Sequence, residues 1–106
     1  MLDFFDETIV NYVSHTKAAL IQKNSREAFE LNWTAINIFH LNNLSNGPIT
    51  CFFAPTADAT SGTDPNVLAS KIKKAFLGSV EGAPENKFVI IINETDTDAK
   101  IEYRID

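Results

Sequence analysis

The chain has 106 residues, of which 44% are apolar and 22% are charged, and its formal net charge is −5. This length and composition predict one folded domain over residues 1–106 and exclude intrinsic disorder and a fibrous repeat. No apolar run approaches the ~20 residues that a membrane-spanning helix needs, and a single cysteine, Cys51, excludes an internal disulfide.

The N-terminal part of the sequence has helical periodicity. From Asp3 to Gln22, apolar residues recur at spacings of three and four, with acidic residues near the start and lysines near the end. We predict a helix here, and Asn24 with Glu27 resembles a capping box that allows a further turn through about Glu30. Because no basic start or cleavage site precedes the helix, we expect a cytoplasmic protein.

The stretch from Leu31 to Leu41 fits both a helix and a strand, and the fold depends on which it is. Alternation along Leu31, Trp33 and Phe39 fits the strand better. A polar loop at residues 42–48 and an apolar run, Ile49 to Ala54, follow. We predict that the two strands form a hairpin.

A second helix is predicted after the small, polar stretch at residues 56–63. Asp64 and Pro65 combine a favoured capping residue with proline in the first helical position, and Gly82 and Pro84 end the periodic segment at about residue 81. If the strands before and after this helix join one sheet, the helix forms a right-handed crossover between them.

The last two strands are the clearest feature of the sequence. Residues 88–92 are all apolar and four of them are β-branched, which predicts a strand buried on both faces. After the acidic turn formers at 93–98, residues 99–106 alternate between apolar and charged, as in a half-exposed strand. We predict a hairpin here too. The fold class is therefore α+β, in the order α-β-β-α-β-β, with a mixed sheet of about four strands backed by two helices.

No motif in the sequence carries recognisable chemistry. His15 and His40 lack the neighbouring ligands of a metal site, and no nucleophile-elbow glycines surround Ser14 or Ser45. We therefore predict no catalytic residue, no metal and no cofactor. A deep pocket with His15 or His40 beside a carboxylate would instead indicate a small enzyme.

The acidic surplus is concentrated near the C-terminus. Residues 81–106 contain seven acidic and three basic residues, so four of the five net negative charges lie in this segment. This balance argues against binding nucleic acid through its phosphates and suits a cationic partner.

These features predict a non-enzymatic, protein-binding protein. Our favoured interpretation is a small acidic immunity or inhibitor protein of bacterial type that neutralises a basic toxin or another cationic partner protein. The predicted partner-binding residues are Glu94, Asp96, Asp98, Glu102, Tyr103 and Phe53. The alternative is a self-associating structural or adaptor subunit that forms a homodimer through an edge strand, with the last strand as the candidate.

Overall fold

The computed structural model describes residues 16–106, and this part of the chain is built almost entirely from β-strands. A four-residue helix, α1 (Gly78–Glu81), lies between the sixth and seventh strands. The strands are β1 (Lys17–Ile21), β2 (Ser25–Glu30), β3 (Ile38–Asn43), β4 (Ile49–Ala54), β5 (Thr63–Leu68), β6 (Lys73–Leu77), β7 (Phe88–Asn93) and β8 (Ala99–Ile105).

The eight strands form two four-stranded sheets in which every neighbouring pair is antiparallel. The first sheet has the order β1-β8-β3-β6, and the second has the order β2-β7-β4-β5. If four is added to each strand number, with counting resumed at one after eight, the order of the first sheet becomes that of the second sheet read in reverse. The two halves of the described region, β1–β4 and β5–β8, therefore repeat one topology with the sheets exchanged.

Aromatic rings fill the space between the two sheets. Phe39, Phe53 and Phe76 are at most 1% exposed, and their ring centroids lie 5.0 to 6.2 Å apart. Trp33 reaches the same cluster from the connection between β2 and β3 and stacks on Phe53 at 5.5 Å. Side chains pack the interior as they do in other small barrels.

Two buried asparagines hold the corners where the chain passes from one sheet to the other. The Asn43 side chain donates to the carbonyls of Gly47, Leu68 and Ala69 at 2.9 to 3.1 Å. Its Oδ1 accepts hydrogen bonds from the amide and hydroxyl of Ser45. One amide thus serves the β3–β4 turn and the neighbouring β5–β6 turn.

Asn93 repeats this arrangement at the symmetric corner, 50 positions along the chain. Its Nδ2 donates to the carbonyls of Ile21, Gln22 and Thr97, and its Oδ1 accepts from the amide and hydroxyl of Thr95. Both asparagines are fully buried. Since buried backbone groups need partners, these side chains replace the hydrogen bonds that the strands lose at the corners.

The outer face of the second sheet is covered by the connection between β4 and β5. Phe52, Ala54 and Ile90 form a small apolar cluster there, against which Ala59 of the connection packs. Arg26 holds this segment in place by donating to the Ala57 carbonyl at 3.1 Å. This cover explains why β4 is buried on both faces.

The predicted α+β class is wrong. The structure has two antiparallel sheets and one short helix, with no parallel pair and no two-helix layer in the described residues. Of the helix predicted from Asp3 to Gln22, the part up to residue 15 lies outside the described residues. The rest contains strand β1. The further turn predicted through Glu30 is strand β2.

The predicted helix at 65–81 is also wrong, because this segment forms most of β5, all of β6 and, only at its end, the short helix α1. Asp64, expected to cap a helix, has a left-handed φ of 55°, and Lys71, expected within the helix, has a φ of 65°. Pro65 lies on the edge strand β5, where its missing N–H can face away from the sheet.

Several strands were predicted correctly, but their pairing was not. The strands expected at 49–54 and 87–93 are confirmed as β4 and β7, and the alternating C-terminal strand is confirmed as β8. Residues 31–37, however, form a connection before β3. Both predicted hairpins are wrong, since β3 and β4 belong to different sheets, as do β7 and β8.

We expect Asn93→Asp to destabilise the fold strongly. The change keeps the side chain's shape but removes the donor to three carbonyls and places a charge in a buried site, so the free energy of unfolding should fall by about 3 kcal/mol or more. Urea denaturation measures this value. Asn46→Asp, at an exposed position, is the control and should change stability by only about 0.5 kcal/mol. A loss below about 1 kcal/mol at Asn93 would contradict the role assigned to this corner.

Candidate functional site

Three of the predicted partner-binding residues lie together on the turn between β7 and β8. Glu94, Asp96 and Asp98 are exposed on this acidic turn (residues 94–98), whose backbone is fixed by Asn93. Asp98 also has a structural contact, because its Oδ1 accepts the Lys23 amide at 2.9 Å. Glu94 and Asp96 are therefore the better residues for testing the charge of the turn.

The other three predicted residues lie elsewhere. Phe53 is fully buried between the sheets, so its position corrects the expectation that it contacts a partner directly. Tyr103 is half-buried on the inner side of β8, with its ring centroid 5.0 Å from that of Phe29, and burial raises the pKa of its hydroxyl. Glu102, the next residue back, belongs to the opposite face of the strand.

Glu102 lies in a shallow groove on the outer face of the first sheet. The groove has a volume of about 400 Å³ and is formed where β8, β3 and β6 run side by side. In one cross-strand row, Glu102 pairs with Asn42, and Asn42 pairs with Lys73. In the next row, Arg104 pairs with His40, and His40 pairs with Ala75. We call this set the groove: His40, Asn42, Lys73, Ala75, Glu102 and Arg104.

At one end of the groove, the Asp106 carboxylate contacts both His40 and Arg104. One of its carboxylate oxygens lies 2.9 Å from His40 Nε2, and the carboxylate also contacts Arg104 Nε at 3.2 Å. The Asp106 backbone exchanges two hydrogen bonds with Ile38 of β3. These contacts hold a histidine, an arginine and a carboxylate in fixed relative positions at the surface.

Sequence reasoning missed most of the groove. Residues 40, 73 and 104 are far apart in the chain, and only the pairing β8-β3-β6 brings them together. The alternation that placed Glu102 and Arg104 on one face of a strand was a usable signal for part of it. No sequence signal identified the neighbouring strand.

The groove contains side chains of both charges, and it offers both donors and acceptors of hydrogen bonds. The His40–Asp106 pair resembles a base with its orienting carboxylate, and it meets part of the condition under which we considered a small enzyme. Both side chains are well exposed, at 37% and 41%, and the groove residues include no serine or cysteine nucleophile. The arrangement can bind polar groups through these charged and amide side chains.

In residues 16–106, no group of three or more His, Cys, Asp or Glu side chains comes close enough to hold a metal ion. No helix in this part of the chain is both long and apolar enough to cross a membrane.

A scan against protein-family models and a search of curated proteins both gave no match. Solved structures, in contrast, show clear similarity of fold. A de novo designed double-stranded β-helix matches with a TM-score of 0.60 and 11% identity, over 86% of this chain and 97% of the designed one. The Cupin_2 domain of an XRE family transcriptional regulator from Enterobacter cloacae matches with a TM-score of 0.57 and 11% identity, over 85% and 77% of the two chains.

PirA is a third match, with a TM-score of 0.54 and 11% identity, over 87% of this chain and 94% of PirA. The fold is a cupin-like double-stranded β-helix. At such low identity the likeness describes the fold alone. One fold can carry both enzymes and non-enzymes.

Cys51 is expected to be unreactive in the folded protein. It is fully buried, and burial, helped by nearby Asp64 and Glu81, raises its thiol pKa to about 12. At pH 8 the thiolate fraction should therefore be on the order of one in ten thousand. We expect Ellman's reagent to label the native protein at least about 100-fold more slowly than the protein in guanidinium. Equal labelling rates would contradict this burial.

Proposed function

We propose that this protein is a non-enzymatic binding domain that recognises a cationic partner protein through the groove and the neighbouring acidic turn. The observation that carries the proposal is the outer face of the first sheet, which no other segment of residues 16–106 covers. Within residues 16–106 the second sheet is covered by the β4–β5 connection, whereas the first sheet leaves a concave surface with converging polar side chains.

The filled interior supports an external binding surface. Stacked aromatic rings occupy the space between the sheets, where a barrel of this kind would otherwise enclose a ligand. The groove supplies donors and acceptors held by cross-strand pairing. Binding to such preorganised groups loses little side-chain freedom, which favours specific recognition.

The acidic turn supports a cationic partner. Glu94 and Asp96 project from a turn that follows directly into β8, the strand that carries Glu102 and Arg104. The net charge of −5 acts in the same direction. An acidic region beside a mixed-charge groove speeds encounter with a basic surface, while the groove fixes orientation.

Two parts of the earlier interpretation change. The fold and the comparisons give no support to the narrower immunity or toxin-inhibitor role, so the proposal does not include it. The last strand is not an edge, because β8 lies between β1 and β3. The actual edges carry charged residues or proline, such as Lys17 on β1 and Pro65 on β5, which discourages pairing with a second copy.

Site-specific photo-crosslinking tests the proposed surface. A photoreactive amino acid at Asn42, in the groove, should give protein adducts in the cells that produce the chain, and the captured protein should have a basic surface. The same group at Val67 is the control, since Val67 is 71% exposed on the edge of the other sheet. Adding Glu102→Lys should remove the Asn42 adduct. The proposal is wrong if Asn42 gives no adduct, if both positions give the same adduct, or if Glu102→Lys leaves it unchanged.

With the captured partner purified, charge reversal tests the acidic turn. Glu94→Lys with Asp96→Lys should lower the association rate by about tenfold at low salt and flatten its dependence on ionic strength. Stopped-flow or surface-plasmon measurements give both quantities. The matched control is Asp58→Lys with Glu85→Lys, which changes the net charge equally but at the other end of the strands. If both double variants slow association equally, total charge and not the acidic turn steers the encounter.

A further inference from the structure

The turn between β3 and β4 contains an asparagine whose side chain is free. Asn46 is exposed, and its side chain has no hydrogen-bond partner among residues 16–106. The N–H of the next residue, Gly47, also has no partner in this part of the chain, although the Gly47 carbonyl has two. Asn46 is the only one of the ten asparagines in the sequence that precedes a glycine. A side-chain amide and a backbone nitrogen are therefore adjacent and unengaged.

These two groups are placed to react with each other. A bond from the Gly47 nitrogen to Asn46 Cγ closes a five-membered ring, so the reaction is intramolecular and gains from proximity. Glycine favours this reaction, because no Cβ crowds the attacking nitrogen and the backbone can rotate toward the geometry of attack. After every other asparagine, the next residue carries a side chain. The pair at 46–47 is therefore the most reactive of its kind in the chain.

We propose that Asn46 deamidates in the folded protein and that the isoaspartate product weakens the corner held by Asn43. The Gly47 nitrogen, after losing its proton to hydroxide, forms a bond with Asn46 Cγ. The bond from Cγ to the side-chain nitrogen breaks, and that nitrogen takes a proton from water and leaves as ammonia. This inference is independent of the proposed function.

Water then opens the cyclic imide that remains. It adds to one of the two carbonyl carbons, the bond from that carbon to the Gly47 nitrogen breaks, and the nitrogen regains a proton. Opening at Cγ gives aspartate with a normal backbone. Opening at the backbone carbonyl carbon gives isoaspartate, in which the main chain continues through Cβ and Cγ. Either route consumes one water, releases one ammonia and needs no oxidant or reductant.

The symmetric corner shows that an aspartate fits at this place in the turn. Asp96 lies 50 positions after Asn46, in the turn between β7 and β8. There the N–H of the next residue, Thr97, donates to Thr95 Oγ1 at 3.4 Å, whereas the Gly47 N–H has no partner within the described residues. The aspartate product is thus accommodated, and the reactive nitrogen is specific to the first corner.

Isoaspartate does not fit in the same way, because it adds one carbon atom to the main chain between residues 46 and 47. The Gly47 carbonyl accepts hydrogen bonds from Asn43 Nδ2 and Ser45 Oγ, both at 2.9 Å. Residue 47 is also confined by a neighbour, since a Cβ there would lie 3.2 Å from Thr95 Cγ2. A longer main chain moves the carbonyl away from Asn43, so the buried Asn43 amide loses a partner.

Incubation of the unaltered protein at mildly alkaline pH, followed by peptide mass spectrometry, tests the reaction. The peptide that contains residue 46 should gain about 1 Da. The rate should rise about tenfold for each pH unit, because the ionised nitrogen attacks. The folded protein should react at a rate within about tenfold of that of the chain in guanidinium, since the site needs no opening. A folded rate further below the unfolded rate overturns the proposal.

Two variants identify the reacting atoms. Asn46→Gln forces a larger ring and Gly47→Ala crowds the nitrogen, so each should slow the mass gain at residues 46–47 by at least about tenfold. Asn32→Gln, at an exposed asparagine followed by tryptophan, is the control and should leave the rate unchanged. If the folded Asn46→Gln protein gains mass at the wild-type rate, the reaction lies elsewhere and the proposal fails.

Urea denaturation of the separated products tests the effect on the corner. Asn46→Asp is the aspartate product, and its unfolding constant should stay within about threefold of the wild-type value. The isoaspartate form is recognised because a proteinase that cleaves before aspartate leaves it intact at this position. Its unfolding constant should be at least about tenfold higher, through the lost hydrogen bond from Asn43. Equal stability of the two products would overturn the second half of the proposal.

Discussion

The fold depends on the hydrogen bonding of two buried asparagine amides. Six of the seven connections between successive strands pass from one sheet to the other, and such a passage interrupts the ladder of backbone hydrogen bonds. Asn43 and Asn93 each connect two adjacent turns, one on each side of the passage, with five side-chain hydrogen bonds. Without these amides, carbonyls at both corners would be left without partners in a buried setting.

The two corners also show how the approximate symmetry is encoded. The hydroxyl residue two positions after each asparagine, Ser45 or Thr95, donates to the asparagine Oδ1 in both halves. The turns that receive the amide bonds contain the left-handed residues Lys71 and Asn24 at corresponding places. The symmetry thus survives in hydrogen-bond chemistry although the surrounding sequences differ. The sequence alone does not reveal it, because at these corners only the asparagine and a hydroxyl residue two positions later recur.

The elements that the sequence predicted well are those with a strong local pattern. The run at 88–92 and the alternation at 99–105 have few alternatives, because strand β7 is covered on both faces and β8 on one. The helix predicted at 65–81 failed because β5 and β6 are edge strands with few buried positions. Leu68 and Phe76 are eight residues apart, a spacing that fits a helix as well as two short strands. Nothing local distinguished the two structures.

Only some of the predicted site residues lie together in the structure, and the reason is related. Residues 94, 96 and 98 share one turn, so their proximity could be predicted from the chain alone, and it was. Glu102 joins His40 and Lys73 only through strand pairing between distant segments, which a single sequence does not reveal. Tyr103 and Phe53 were chosen as aromatic residues without knowledge of their faces, and both point toward the interior.

The filled interior bears on how this domain works. A double-stranded β-helix has three places to bind a partner: between its sheets, on their outer faces and at the turns. Here stacked rings occupy the first, and the β4–β5 connection covers one outer face within the described residues. The groove and the acidic turn remain, and they meet along β8. Because β8 is a central strand, hydrogen-bonded on both sides, the surface that it carries is rigid.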